Sequence, residues 1–307
     1  MDSVRPGIGQ TGFVQDPPAK HPAGLGPEDG AALDRIAGIL LGRPVALLTG
    51  AGLSTDSGIP DYRGLDAAPR NPLTYQEFMG DAELRRRYWA RNHVGWSHMQ
   101  RAEPNAGHFA VAAMERGGLL TGIITQNVDR LHQQAGAAAV VDLHGRFDQV
   151  ICMDCGNTYS RAFLGIILDE LNPGFLEAVS AAGGVPMAPD ADADLEGEKL
   201  IAGFNVAKCP LCGGLLKPDF VFFGENVPKD RVERSFEMLD SAGVLLVAGS
   251  SLTVMSGLRF VKKAAKDGKP VIIINRGETR GDPQADVKLE AGVGESLGYL
   301  AGVLGFD

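Results

Sequence analysis

Short, unbroken runs of apolar residues alternate with helical patterns along most of the chain. A strand that is apolar along its whole length is typical of a parallel sheet covered by helices on both faces. The clearest helical patterns occupy residues 230–239 and 256–266. The alternation therefore predicts an α/β fold with a Rossmann-like parallel sheet and helices on both faces. The predicted strands are residues 45–49, 122–125, 140–143, 244–248 and 271–274.

The alternation is interrupted between residues 151 and 212, where paired cysteines appear. We interpret this segment as a small domain inserted into a Rossmann-like domain made of residues 27–150 and 213–307. The first 26 residues contain four prolines and no regular pattern, so we expect a flexible N-terminal segment. Regular structure is predicted to begin with a helix near Pro27.

Within the inserted segment, residues 164–179 have a helical pattern and residues 187–198 form an acidic run. We expect the acidic run to be an exposed loop, because it contains almost no residue that could enter a core. Residues 219–223, an aspartate followed by four apolar residues, read as a strand with which the parallel sheet is predicted to resume.

Composition excludes several classes of protein. The 307 residues are 44% hydrophobic and carry a net charge of −9, which disfavours a protein that coats nucleic acid. No run approaches the ~20 apolar residues that a membrane helix needs, and the N-terminal residues lack the apolar centre of a signal peptide. We therefore expect a cytoplasmic protein without membrane or nucleic-acid partners.

The four cysteines form two C-x-x-C pairs, Cys152 with Cys155 and Cys209 with Cys212. Two such pairs present four thiolates on tight turns, which suits tetrahedral zinc, whereas a redox C-x-x-C would need only one pair. Four protein ligands leave no open coordination position. We predict one structural Zn²⁺ ion.

A glycine-containing turn follows the first predicted strand. Gly50 and Gly52 form a G-x-G, which in Rossmann folds lets backbone amides approach a pyrophosphate, although a purely structural turn is an alternative. Thr55 stands where the dehydrogenase fingerprint has its third glycine. Residues 70–71, Arg and Asn, occupy the region where an acidic ribose ligand is expected. A conventional hydride-transfer site is therefore disfavoured.

Polar residues follow the other predicted strands, at 126–132, 144–145, 249–251 and 275–276. Because ligands of open α/β sheets bind at the carboxyl ends of the strands, we expect these side chains to converge on one site. His144 is the candidate general base. His132 competes for that role, but it follows Asp129 on a predicted helix.

These motifs together resemble those of the sirtuins, NAD-dependent protein deacylases, over about residues 30–305. The resemblance rests on the sequence GAGLSTDSGIPDYR at 50–63, TQNVDRLH at 125–132, LHG at 143–145, VFFGE at 221–225, GSSL at 249–252, the dipeptide at 275–276 and the cysteine pairs. Residues 70–73 and 87–96 resemble the class II branch, which includes a lipoamidase and ADP-ribosyltransferase type.

The resemblance implies roles for individual residues. His144 and Asn127 would be catalytic, and the four cysteines would bind the zinc. Val221, Phe222, Gly224 and Glu225 would bind an extended acyl-lysine peptide, together with the loop after Ser251. The residues implied to bind NAD as a co-substrate are Gly50, Ala51, Gly52, Ser54, Thr55, Asp56, Ile59, Pro60, Asp61, Tyr62, Arg63, Gln126, Asn127, Asp129, Gly249, Ser250, Ser251, Asn275, Arg276, Gly277 and Val293.

The implied reaction consumes NAD. The acyl oxygen of an acyl-lysine attacks C1′ of the nicotinamide ribose, nicotinamide leaves, and the base then removes a proton from the ribose hydroxyls. The products are free lysine and 2′-O-acyl-ADP-ribose. Tyr75 and Phe78 stand at the offset of the Tyr and Arg that hold acidic acyl groups in one branch of the family, so acetyl or longer apolar acyl groups are favoured. Mono-ADP-ribosyl transfer, a binding module without turnover and a conventional oxidoreductase are the alternatives.

Overall fold

A parallel sheet forms the centre of the molecule. The structure is a computed structural model that describes residues 24–61, 72–181 and 201–306. Its larger sheet has six strands in the order β3-β2-β1-β7-β8-β9, and every neighbouring pair is parallel. This confirms the predicted Rossmann-like sheet. Its strands are β1 (Val45–Thr49), β2 (Leu120–Thr125), β3 (Val140–Asp142), β7 (Val244–Ala248), β8 (Val271–Ile274) and β9 (Val287–Leu289).

Helices cover both faces of this sheet. The first begins at Pro27 as predicted, because Glu28 and Asp29 lie in its first turn and Asp29 accepts a hydrogen bond from the amide of Gly26. The helices of the described residues are α1 (Pro27–Leu40), α2 (Tyr75–Gly80), α3 (Ala82–Arg101), α4 (Ala106–Arg116), α5 (Leu131–Gln134), α6 (Arg161–Leu171), α7 (Phe175–Ala181), α8 (Lys229–Ser241), α9 (Met255–Lys266) and α10 (Val293–Val303).

Strand β1 shows why the sheet needs two helical layers. Val45 and Leu47 belong to an apolar cluster with helices α1, α4 and α10, whereas Ala46 and Leu48 belong to a second cluster with α8 and α9. Successive side chains of a strand point to opposite faces, so an unbroken apolar strand must be covered twice. All five residues of β1 are buried.

A second, smaller sheet is antiparallel. It consists of β4 (Gly145–Cys152), β5 (Thr158–Ser160) and β6 (Leu216–Phe220), in the order β5-β4-β6. The prediction that the parallel sheet resumes at residues 219–223 is therefore wrong. Strand β6 follows the second cysteine pair and pairs with β4, whose last residue is Cys152, so the cysteine cluster lies at this end of the pair. An apolar run shows a strand but not its partner.

A third apolar cluster joins the smaller sheet to helices α2 and α3. Phe78 and Trp89 of these helices pack with Phe147 of β4 and Phe222. Arg161, at the start of α6, is buried with its guanidinium 5.2 Å from the ring centre of Trp96. The packing of helices α2 and α3 against the smaller sheet was not predicted, because residues 75–101 lie far from the cysteines in sequence. The division of the chain into domains stays a prediction.

The helical stretch predicted at 164–179 consists of two helices, α6 and α7, because Gly174 between them adopts a φ of +78°. The predicted acidic loop at 187–198 lies outside the described residues, as does nearly all of the predicted flexible segment 1–26. Among the helices that the structure describes, none is long and apolar enough to cross a bilayer.

The loops that follow β1 and β7 touch through their backbones. The amide of Gly52 donates a hydrogen bond to the carbonyl of Gly249 at 2.9 Å. Gly249 adopts a φ of +69°, and a Cβ placed on it would lie 2.6 Å from the backbone nitrogen of Leu53. Two requirements therefore demand glycine at this position, the left-handed backbone and the close approach of a second loop.

We predict that Gly249→Ala destabilises the protein by about 2–4 kcal/mol, since the added methyl group must push the two loops apart. Gly268 is the matched control, because it has the same φ of +69° but open space around it. Gly268→Ala should cost only about 1 kcal/mol, the cost of the left-handed backbone alone. Chemical denaturation of both variants measures this difference. Equal losses of stability would contradict the close-approach argument.

Candidate active site

The polar residues that follow the parallel strands meet at one edge of the sheet, as expected. The amide group of Gln126, after β2, donates a hydrogen bond of 2.7 Å to the hydroxyl of Ser250, after β7. The backbone amide of Gln126 also donates to the carbonyl of Thr49 in β1. Three strand ends are thereby linked into one group of polar side chains.

A buried hydrogen-bonded cluster lies beneath the glycine loop. Asn127 donates from its side chain to the carbonyl of Gly50 at 3.1 Å and to the hydroxyl of Ser54 at 3.0 Å. Ser54 in turn donates to a carboxylate oxygen of Asp129 at 2.6 Å, and the amide of Leu131 donates to the other oxygen. Burial raises the pKa of Asp129, and the bonds from Ser54 and Leu131 oppose the rise.

The loop itself is held by a residue that sequence reasoning missed. Asn105 caps the start of α4, accepting hydrogen bonds from the amides of Gly107 and His108. Its side-chain amide donates to the carbonyl of Leu53 at 2.7 Å and to the hydroxyl of Ser57 at 3.0 Å. Asparagine directly before a helical pattern is an N-cap signal that could have indicated the first role, although not the second.

The other residues of the glycine loop predicted to bind NAD follow Gly50 along the chain. Ala51, Thr55 and Asp56 lie in short 3₁₀ turns of the glycine loop, and Ile59 is buried in the third apolar cluster. Pro60 and Asp61 are the last described residues of the loop. Tyr62 and Arg63 lie outside the described residues.

The residues predicted for the adenosine half of NAD follow β8 and β9. The side chain of Asn275 donates to the backbone carbonyls of Arg276 and Gly277. The guanidinium of Arg276 lies close to Gly292, directly before Val293 at the start of α10. The structure thus brings these four predicted residues to the same edge of the sheet as the glycine loop.

His144 follows β3 and has both ring nitrogens engaged. Its Nδ1 lies 3.0 Å from the backbone carbonyl of Gln126, and its Nε2 lies 2.8 Å from the hydroxyl of Ser256. A carbonyl oxygen can only accept a hydrogen bond, so Nδ1 carries the proton and the lone pair is on Nε2. Burial lowers the pKa of His144 to about 4, which the bond to Gln126 opposes. The imidazole is therefore neutral at pH 7 and able to accept a proton.

His132, the competing candidate, lies in the core rather than in the site. It is 1% exposed, and its Nε2 lies 2.9 Å from the hydroxyl of Thr49. Its ring packs against that of His108, with 5.1 Å between ring centres. Burial lowers the pKa of His132 well below its ordinary value and that of His108 to about 4. Both rings are neutral structural groups.

The segment predicted to bind the substrate continues from β6 and lies beside His144. The amide of Val221 donates to the backbone carbonyl of His144 at 2.8 Å. Glu225 accepts the amide of Phe222 at 2.9 Å and pairs with the buried Lys217 at 3.2 Å, which closes the segment into a tight turn through Gly224. Phe222 is buried, as expected for one of two neighbouring phenylalanines.

The four cysteines meet at the far end of the smaller sheet. Their sulfur atoms all lie within 4.8 Å of one another, although the two pairs are more than 50 residues apart in sequence. Four sulfurs at ~2.3 Å from a central ion would be separated by just under 4 Å, so the arrangement fits tetrahedral zinc. The donor set is that of a closed structural site.

Comparison with known proteins agrees with this geometry. The Sir2 family matches residues 50–256. The chain is 56% identical over 263 residues to an NAD-dependent protein deacetylase 1 of Mycobacterium avium, covering 86% of this chain and 92% of that protein. It is 54% identical over 263 residues to the protein of the same name in Streptomyces coelicolor, covering 85% and 86% of the two chains.

Solved structures are similar as well. One described as "Sir2-p53 peptide-NAD+" covers 90% of this chain and 99% of its own, with a TM-score of 0.69 and 30% identity. Another, of a Sir2 protein bound to a propionylated peptide, has a TM-score of 0.69 and 29% identity, and covers 90% and 99% of the two chains. The fold and the site together define an NAD-using α/β protein. This chain belongs to the Sir2 family, which confirms the resemblance found in the sequence.

We predict that Cys152→Ser lowers the melting temperature by at least about 5 °C, because a structural zinc site contributes directly to folding free energy. Chelation of the metal from the unaltered protein should have the same effect. Met153→Ser, in the same turn, removes no thiolate and is the control. Thermal melting and zinc content check this. A Cys152→Ser protein that keeps both values would contradict a structural zinc site.

We also predict a loss of stability in acid that depends on His108. Its pKa of about 4 in the folded protein lies below the ordinary 6.5, so unfolding takes up a proton between these values. Stability should therefore be full above pH 6.5 and fall as the pH drops toward 4. In His108→Asn the loss between pH 7 and 5 should be smaller by roughly 1–2 kcal/mol. Urea denaturation of the unaltered protein and of His108→Asn at pH 7 and pH 5 tests this. Any effect of pH on the zinc site is the same in the two proteins and cancels in the comparison.

Proposed function

We propose that this protein is an NAD-dependent protein-lysine deacylase that releases nicotinamide, free lysine and 2′-O-acyl-ADP-ribose. The observation that carries the proposal is the state of His144. It is a neutral imidazole, protonated on Nδ1 and directed by Gln126, beside the segment that begins at Val221. Within a Sir2 family chain, such a group fits a base that acts on a ribose hydroxyl.

The residues around the base fit the binding of NAD as a co-substrate. The glycine loop after β1 offers backbone amides for the phosphates, and Asn127, with Asp129 behind it, offers polar groups for the nicotinamide ribose. These groups are fixed by hydrogen bonds to one another before any ligand enters. Preorganised polar groups in a dry site stabilise developing charge without having to reorient.

We propose that the acyl-lysine peptide adds as an extended strand between residues 221–225 and the loop after Ser251. One edge of the 221–225 segment is already used, because the amide of Tyr75 donates to the carbonyl of Phe223 at 2.9 Å. On the opposite edge the amide and carbonyl of Phe222 are bonded to Glu225, so the peptide would pair with the remaining backbone groups of the segment. Main-chain pairing of this kind tolerates many peptide sequences.

The acyl group is proposed to be acetyl or a longer apolar chain. Phe78, at the offset where an arginine would hold an acidic group, is fully buried and packs against Phe222 with 4.9 Å between ring centres. The third apolar cluster thus extends to the substrate segment. A charged acyl terminus entering this region would lose hydration, and Phe78 offers no charge to pair with it.

We propose a cytoplasmic location and a two-part organisation, with residues 27–150 and 213–307 binding NAD and residues 151–212 binding zinc. Four cysteines that serve as zinc thiolates must stay reduced, which the cytoplasm favours. The acyl-lysine of a protein or peptide is the proposed partner, and the zinc ion has a structural role only.

The experiment is a panel of lysine peptides carrying acetyl, longer apolar and succinyl groups, incubated with and without NAD. We expect NAD-dependent loss of the apolar acyl groups, detected by mass spectrometry of peptide and nucleotide products. His144→Ala should reduce this activity by at least about 100-fold, because it removes the base, while the melting temperature and zinc content are kept. Fastest turnover of succinyl-lysine would contradict the proposed acyl preference.

NAD labelled in its ADP-ribose part distinguishes deacylation from mono-ADP-ribosyl transfer. Label recovered in soluble acyl-ADP-ribose supports the proposed deacylase. Label retained on the acceptor protein would support transfer instead, and nicotinamide release that does not depend on acyl-lysine would contradict deacylation.

A further inference from the structure

Ser256 places its hydroxyl on the nitrogen of His144 that would accept the proton. We propose that Ser256 relays this proton, so that a ribose hydroxyl reaches His144 through the serine rather than directly. This inference rests on the proposed function of His144 as the base. Ser256 lies at the second position of α9, more than 100 residues from His144 in sequence.

The direction of the hydrogen bond follows from the partners of the ring. Nδ1 must donate to the carbonyl of Gln126, so the neutral ring has only the lone pair of Nε2 left. Ser256 is therefore the donor in its 2.8 Å contact with Nε2. The serine oxygen keeps its own lone pairs, with which it can accept a second hydrogen bond from a sugar hydroxyl.

A ring nitrogen has a single lone pair, so two hydroxyl groups cannot both donate strongly to Nε2. A ribose hydroxyl must either displace Ser256 or donate to it. Displacement would break the 2.8 Å contact between Ser256 and Nε2, whereas donation to the serine oxygen keeps it. A Cβ on Gly257 would lie 2.6 Å from the side-chain oxygen of Gln126, so this turn of the helix is packed directly against the residue that orients His144.

The position of Ser256 in the helix also favours a relay. The first turn of α9 is the positive end of the helix dipole, which stabilises negative charge on a nearby oxygen. During a relay, the serine oxygen passes its proton on as it receives another. Partial negative charge on this oxygen is therefore stabilised at the moment when it develops.

The proposed step is balanced in atoms and electrons. The O–H bond of the ribose hydroxyl breaks, its electron pair stays on the sugar oxygen, and the proton forms a new O–H bond with the serine oxygen. The original serine proton leaves at the same time and forms an N–H bond at Nε2. His144 becomes an imidazolium, Ser256 is regenerated, and the sugar oxygen is free to attack the acyl carbon.

The test separates the step before the base acts from the step after it. Exchange of labelled nicotinamide into NAD, in the presence of acyl-lysine peptide, reports release of nicotinamide and its reversal. Formation of acyl-ADP-ribose reports the later step. In Ser256→Ala we expect acyl-ADP-ribose formation to fall by about 10- to 100-fold while nicotinamide exchange stays within about twofold of the original protein.

Ser256→Thr keeps the hydroxyl and should recover most of the lost activity. Ser241→Ala, an exposed serine at the end of α8, is the matched control and should change neither rate. Melting temperature and zinc content report on the fold of each variant. Acyl-ADP-ribose formation in Ser256→Ala within twofold of the original rate would overturn the relay. A parallel fall of both rates, or failure of threonine to recover the activity, would overturn it too.

His144→Ala, measured in the same assays, keeps this inference distinct from the proposed function. If His144→Ala loses acyl-ADP-ribose formation and Ser256→Ala does not, the base assignment holds and the relay is wrong. If His144→Ala retains the activity, the base assignment itself is wrong, and the relay is wrong with it.

Discussion

The contact between the loops after β1 and β7 is the constraint on which the candidate site depends. These strands are neighbours in the parallel sheet, so their carboxyl ends leave at the same edge, and the bond from Gly52 to Gly249 joins the loops directly. Glycine at both positions lets the backbones meet without a side chain between them. Because the loops are joined, Asn127 and Gln126 find fixed partners in Gly50 and Ser250.

Burial acts in opposite directions on the acids and the bases of the site. Burial raises the pKa of Asp129 and lowers that of His144, since both shifts favour the uncharged form. A neutral imidazole is what a general base requires. A site that excluded water would also protect the sugar cation of the proposed reaction from hydrolysis.

Sequence reasoning reached the elements whose signal is local. Unbroken apolar strands and paired cysteines carry their meaning within a few residues, so the parallel sheet and the sulfur cluster were predicted from them. Three features were not predicted: the pairing of β6, the hydrogen bonds from Asn105 to the glycine loop, and the contact of Ser256 with His144. Each depends on the meeting of segments distant in sequence, and serine or asparagine near a helix start ordinarily indicates only a cap.

The cysteine cluster and the candidate base lie at opposite ends of the same pair of strands. Strand β4 begins directly after His144 and ends at Cys152. Strand β6 follows Cys212 and ends directly before Val221, whose amide is bonded to the carbonyl of His144. A metal at the cysteine end would therefore hold the two strands beside each other up to the irregularity in their pairing between Gly145 and Val150. A structural ion would in this way support the pair of strands that carries the candidate base and leads to residues 221–225.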